Sequence, residues 1–387
     1  MPDSTYLIII MTGLTAGLAS GFVMHRSDFC IAGMFRDLIL FRKGAMIRML
    51  VLLIVTSMIL FEIARQAGLL PLYPFPLLYP PTPANLIGGF LFGIGMVLAG
   101  GCVVGTLYRM GAGSVLSTVA FGGLIGGSAL YAEIHPSWAA FVKATTFFPG
   151  KITIAQIFGV DPMIPLAAVS AAGLFVLFRW QRQGLLVRRS AAEGYLQPWK
   201  AAIVLSFAST ASYILAGMPM GITSSFAKIA GYMEQGLFPA HMEGLSFFRI
   251  VSLKYTYPLT GAYLQGGPGP VVDALAVIQF PIVAGIIIGS AVSAISLKEF
   301  HLHFRVPAMQ YLSVLAGGII MGFASRIAPT CNVWHLLGGL PILSASSILF
   351  TAGLFPGAWI GGLILTRAVL TARHGAENEE GKLQCRI

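Results

Sequence analysis

Charge is the first thing this chain lacks. Only 10% of its 387 residues are Asp, Glu, Lys or Arg, against about 25% in soluble domains, which excludes an ordinary cytosolic enzyme. Cysteine is scarcer still, and four residues cannot supply the disulfide framework of a small secreted protein. No CxxC pair and no Cys-His cluster at ligand spacing occurs, which argues against a zinc centre and against transport of copper or zinc. A nucleotide-binding glycine motif and a quinone or haem ligand pattern are likewise missing. These absences give little support to an alternative of another class, a membrane thiol oxidoreductase with Cys30 and Cys102 as its redox pair. No cofactor is expected.

Apolar residues make up 56% of the chain and the mean hydropathy is +0.82. Uncharged runs recur that can cross roughly 30 Å of hydrocarbon at about 1.5 Å per helical residue, among them Tyr6–Met24, Gly111–Ala132, Pro162–Phe178 and Ala274–Leu297. The first run has Asp3 before it and basic residues after it, so it reads as a retained helix rather than a cleaved signal. The net charge of +10 collects in four clusters: Arg26 to Arg48, Arg179 to Lys200, Lys298 to Arg305, and the tail from Arg367. Charge placed between apolar runs, not along one face, is a topology signal and not a nucleic-acid footprint. The positive-inside rule puts all four clusters in the cytoplasm and the N-terminus outside. Crossing parity then gives five spans over residues 1–190, four over 191–373, and a short polar cytoplasmic tail over 374–387.

The two parts echo each other. An offset of 229 residues pairs Cys102 with Cys331, and also Gly88 with Gly317, Gly89 with Gly318, and Gly93 with Gly322. A second echo, at 197, links Ser27-Asp28-Phe29-Cys30 to Ser224-Ser225-Phe226-Ala227, without the cysteine. With one part starting outside and the other inside, the expectation is an all-α polytopic membrane protein. About nine transmembrane helices form two inverted pseudo-symmetric repeats, with short broken or re-entrant helices meeting at the midplane.

Three cysteines mark the breaks. Gly100 and Gly101 precede Cys102, Pro329 and Thr330 precede Cys331, and each set interrupts a run otherwise long enough to span. Ser27 and Asp28 precede Cys30 as an N-cap signal for another short helix. A helix that stops inside the bilayer and restarts exposes amides, which are tolerated only where protein or an aqueous cavity covers them. Those amides and the positive end of the helix dipole attract an anion without a buried Lys or Arg to hold it too tightly. A thiol in such a place keeps its proton and is a weak S–H donor, suited to a soft sulfur acceptor. Against this stands the plain reading of a buried cysteine as a small hydrophobe.

The SDFC segment ending at Cys30, the GGC segment ending at Cys102 and the APTC segment ending at Cys331, in that order on a nine-span layout, resemble the YeeE/YedE family. The resemblance covers nearly the whole chain. It implies a pseudo-symmetric hourglass in the bacterial inner membrane that passes thiosulfate from thiol to thiol without a covalent step. Cys102 would be the central thiol, Cys30 and Cys331 the flanking ones, and Ser27, Gly100, Gly101 and Thr330 would complete the substrate path. Some family members are linked to selenium metabolism or to other sulfur compounds, which stay open as substrates, and some carry a fused sulfur-carrier domain absent here. A separate cytoplasmic sulfurtransferase or carrier protein is a candidate partner.

Lys228, Arg109 and Arg326 flank the motifs and are read first as interfacial residues that snorkel, with Arg326 the strongest candidate for a functional charge. His301 and His303 fall in a cytoplasmic loop, while His335 lies near the path as a packed neutral ring. Pro71 to Pro83 reads as an extended external loop, and Cys385 as incidental.

Overall fold

The computed structural model describes residues 4–187, 194–302 and 304–384. The chain runs through α1 (Ser4–Ser27), α2 (Ile31–Phe41), α3 (Ala45–Gln66), α4 (Pro83–Leu98), α5 (Val103–Gly111), α6 (Val115–Ala144), α7 (Ile154–Phe158) and α8 (Met163–Arg182). It continues through α9 (Pro198–Ala216), α10 (Thr223–Leu237), α11 (Pro239–Gly244), α12 (Ala274–Ser296), α13 (Ala308–Ile327) and α14 (Ala345–Gln384). Among the described residues, nine stretches are long and apolar enough to cross a bilayer, and two of these, Ser4–Ile39 and Pro83–Gly111, contain a break. The protein is an all-α polytopic membrane protein. Helix is forced on it, because lipid offers no partner for a peptide N–H or C=O and an α-helix satisfies them within one segment.

Lipid tails are as apolar as leucine, so side-chain greasiness does not hold these helices to one another; close backbone approach does. Three interfaces are built from paired glycines four residues apart. Gly17 and Gly21 of α1 face Gly285 and Gly289 of α12, Gly89 and Gly93 of α4 face Gly353 and Gly357 of α14, and Gly123 and Gly127 of α6 face Gly318 and Gly322 of α13. A Cβ placed on Gly21 would lie 2.1 Å from the Ile286 carbonyl oxygen, on Gly357 2.0 Å from that of Phe90, and on Gly127 2.1 Å from that of Ile319. α3 and α9 meet through a hydroxyl instead, Ser206 Oγ donating to the Leu53 carbonyl at 3.0 Å. The packing is reciprocal: α4 on α14 answers α13 on α6, and α1 on α12 answers α9 on α3.

Several features depart from the sequence expectation. A two-stranded antiparallel hairpin, β1 (Leu253–Thr256) with β2 (Tyr263–Gly266), lies between α11 and α12. Its Tyr255 hydroxyl donates to the Ala216 carbonyl at 3.0 Å, and Tyr257 donates to Leu215, so the hairpin satisfies carbonyls left over where α9 ends. The proline loop is more than an external strap, since Phe75 is buried edge-on against Trp334 at 5.0 Å and Tyr213 at 5.2 Å. The backbone of α14 continues to Gln384 through the polar tail, whose Ala, Glu, Lys and Gln are strong helix formers. Cys385 and His303 lie outside the described residues.

Gly126 and Gly127 are neighbours on α6, but an added Cβ meets nothing at Gly126 and a backbone carbonyl at Gly127. Gly127→Leu is therefore expected to cost roughly 3 kcal/mol or more and to abolish a monodisperse detergent-solubilised peak, while Gly126→Leu keeps both the peak and the wild-type melting temperature.

Candidate functional site

All three buried cysteines stand one residue before a helix. Cys30 precedes α2 and Cys102 precedes α5, both with extended backbone, and Cys331 precedes the helical turn that opens at Asn332 and is wound as a π-helix over Trp334–Gly339. Each carbonyl accepts the amide four residues on: Met34 at 3.0 Å, Thr106 at 2.7 Å and His335 at 3.1 Å. Their thiols sit among the orphan amides of the first turn. The Gly105 amide donates to Cys102 Sγ at 3.4 Å, Cys30 lies beside the Gly33 amide, and Cys331 lies beside those of Val333 and Trp334. Just before each cysteine the chain turns through a left-handed residue: Asp28, Gly100 or Thr330, with φ of 47°, 68° and 86°.

The Ser-Asp cap at the first break takes a different form from the one its sequence suggests. Ser27 belongs to the last turn of α1 and donates to the Val23 carbonyl at 2.7 Å, so it is buried but committed to its own helix. Cys30 holds the capping position instead, because Asp28 is the residue that makes the turn. The echo at 197 does not align the two caps either: α10 begins at Thr223, which leaves Ala227 inside the helix where Cys30 precedes one. Gly101 is buried at the second break, whereas Gly100 is exposed and its carbonyl accepts from Arg109.

Cys30 and Cys102 are brought together, at 2% and 0% exposure. Both face Gly105, where a Cβ would lie 2.8 Å from Cys30 Sγ and 3.4 Å from Cys102 Sγ. The Asn332 carboxamide, fully buried, is the other side-chain neighbour of Cys102. Cys331 is next to Asn332 in sequence and is also at 0% exposure. The adjoining Thr330 is steered by His335, whose Nε2 lies 3.5 Å from the Thr330 hydroxyl while Nδ1 lies 2.9 Å from Ser347 Oγ. Its ring stacks on Phe350 at 4.2 Å, so the expectation of a packed histidine holds. Phe29, Ile31, Val104 and Val333, from the three interrupted segments, converge with Ile222, which precedes α10, on a small apolar cavity of about 20 Å³. The thiols are thus enclosed at the centre of the bundle and do not face lipid.

A vestibule opens at each end. One, of about 430 Å³, is lined by Asp28, Tyr108 and Arg109, from the segments that carry Cys30 and Cys102, and by His25, Tyr195, Glu299 and His301. Its charges are matched: Asp28 is 3.8 Å from Arg109 and accepts from Tyr108 at 3.2 Å. Burial and the hydrogen bond to Glu299 lift the Tyr195 phenol to about 12, so it remains an O–H donor at neutral pH. Three basic loops meet here, Arg26 donating to the Gly194 carbonyl at 2.9 Å and to Ser296 at 2.7 Å. The other, of about 440 Å³, lies under the proline loop and is lined by Tyr79, Thr82, Asn85, Arg326, Pro329 and Thr330, the last two from the segment that carries Cys331. Arg326 Nη2 is buried without a hydrogen-bond partner, and no salt bridge is found for Arg326 among the described residues.

The interfacial reading fails for Lys228, which is fully buried, while Arg109 and Arg326 are partly buried at the vestibules. Arg326 lies in the last turn of α13 and Arg109 in the last turn of α5, from where it reaches back to the Gly100 carbonyl, and both line vestibules. Lys228 is fully buried and donates to the Gly269 and Val271 carbonyls and to Asp273, at 2.9, 2.8 and 2.8 Å, which ties α10 to the loop that leads into α12.

A family profile described as sulphur transport matches residues 26–360, from just before the first cysteine turn to well into the last span. The chain belongs to this sulphur-transport family. It is 30% identical over 373 residues to a thiosulfate transporter, TsuA, of Spirochaeta thermophila, covering 93% of this chain and 100% of that one. It is 27% identical over 382 residues to the Escherichia coli protein of the same name, covering 94% of each. A probable transporter of E. coli, YedE, is 28% identical over 164 residues, 42% of this chain and 36% of its own length.

Two residues that stand against the thiols escaped the sequence reading. Gly105 carries no signal beyond its place three residues after Cys102, and Asn332 stands beside a cysteine that draws attention first. Gly105→Ala puts a methyl group onto two thiols and no backbone of another helix. It is expected to leave a folded protein whose transport falls at least about tenfold, equivalent to roughly 1.4 kcal/mol, in vesicle uptake.

Proposed function

We propose that this chain carries thiosulfate across the bacterial inner membrane, past Cys331, Cys102 and Cys30, with the N-terminus in the periplasm and the C-terminus in the cytoplasm. The observation that carries this reading is the placement of three thiols at helix starts between two vestibules that each hold an arginine, in a chain similar over its length to proteins named thiosulfate transporters. A thiol whose sulfur accepts a first-turn amide still has its S–H to give. Successive thiols and amides then replace the anion's hydration shell without any bond being made or broken. Asp28, Gly100, Gly101 and Thr330 shape the turns that aim them.

The electrostatics favour entry at the proline-loop side. Arg326 offers an uncompensated charge there, whereas Arg109 at the basic-loop side is already matched by Asp28 and holds a departing dianion less tightly. The meeting of three basic loops on that second face supports its cytoplasmic assignment. A cytoplasmic sulfurtransferase or sulfur-carrier protein would take the ion there. The reciprocal helix packing supports two inverted repeats, over residues 1–190 and 191–373, with α8 as the extra span of the first and a polar tail over 374–387.

Growth of a sulfate-uptake-deficient bacterium on thiosulfate tests the reading. The wild-type chain is expected to restore growth and Cys102→Ala to abolish it; undiminished growth of that variant would end the thiol path. Mass spectrometry after many turnovers should find all three thiols reduced, since a disulfide or persulfide formed in each cycle means redox chemistry instead. Arg326→Gln is expected to raise the KM for thiosulfate by about tenfold at low salt with kcat little changed, and the gap should narrow as salt screens the charge.

A further inference from the structure

Asn332 holds the most exposed chemistry in the least exposed place. Its side chain is at 0% exposure, and neither Nδ2 nor Oδ1 has a partner at full hydrogen-bond distance, the Cys102 thiol being the polar group toward which the carboxamide leans. A primary amide offers two donors and one acceptor oxygen. Leaving all of them unmade in a dry interior costs far more than an apolar residue of the same shape. The other orphans inside spans include the hydroxyls of Ser57 and Ser209, which can turn to a carbonyl of their own helix. Asn332 has no such outlet, because it opens the first turn after a break, where amides outnumber acceptors.

Its position gives the orphan amide a partner in transit. Asn332 follows Cys331 directly and has Cys102 as its side-chain neighbour, so an anion handed between those thiols passes the carboxamide. Thiols suit a soft, polarizable sulfur atom, and an amide N–H suits a hard, charged oxygen. We infer that Asn332 reads the oxygen end of the transported anion while Cys102 meets its sulfur end, which makes Asn332 the residue that selects an anion carrying both. This rests on the thiosulfate reading above and names its selectivity element. Sulfate would satisfy the amide but not the thiols, and hydrosulfide the thiols but not the amide.

The test uses the full chain in proteoliposomes, with Asn332→Leu, close to isosteric, and Asn332→Ala beside it in case the larger side chain disturbs folding. Without anion, Asn332→Leu is expected to melt above the wild type, because a buried orphan has been removed. With thiosulfate, both variants should show a KM raised at least tenfold, while inhibition of uptake by hydrosulfide strengthens relative to thiosulfate. That opposition of stability and affinity is what a merely structural residue would not give. A KM within twofold of wild type in either folded variant overturns the inference, and so does an unchanged ratio of hydrosulfide to thiosulfate potency. If the wild-type chain itself takes up no thiosulfate, the underlying reading fails first, and that outcome is visible in the wild-type vesicles alone.

Discussion

A peptide amide inside a bilayer must have a partner, and each helix that stops and restarts leaves several without one. The rest of this structure follows from how those amides are accommodated. The breaks at Cys30, Cys102 and Cys331 lie in the interior of the bundle, and a cysteine stands at the head of each restarted helix with its sulfur among the free N–H groups. Burial deep enough to exclude lipid requires helices packed closer than side chains allow. The three glycine-lined interfaces provide that, with backbone on backbone where a single methyl group would collide. Packing and chemistry are therefore one problem: the glycines close the shell and the thiols occupy its centre.

The helix packing is reciprocal, but the two vestibules are not alike. α4 against α14 and α6 against α13 make matching walls around the Cys102 and Cys331 turns. The vestibules beyond those turns are similar in volume but differ in charge, one with a paired arginine and one with an unpaired arginine. On the proposed reading, that difference in field is what draws an anion in at one end and releases it at the other.

Much of the site was legible because a break in a membrane helix needs residues that advertise it. Gly100, Gly101 and Pro329 stand out in an apolar run, and the cysteines beside them came into view with them. The glycine echo at 229 was legible too, but its meaning was not: Gly89 and Gly93 face α14 while Gly318 and Gly322 face α6, a pairing no linear spacing reveals. Lys228 looked like an interfacial residue because nothing along the chain shows that the segment carrying Gly269, Val271 and Asp273 folds over it. Gly105 and Asn332 were missed for a related reason, since each matters only through what another segment places against it.

Read along the chain alone, this is a helical membrane protein of about nine spans with three interruptions, each carrying a thiol. Those follow from local physics, the length of an apolar run and the cost of glycine or proline within it. The folded chain is needed to show that Cys30 and Cys102 meet over Gly105, that Asn332 leans toward Cys102 without a partner at full hydrogen-bond distance, and that one arginine is paired with a carboxylate while the other is not. Such facts depend on contacts between residues more than 70 positions apart in the chain, from Cys30 to Cys102, and distance along a chain carries no information about which helix faces will touch.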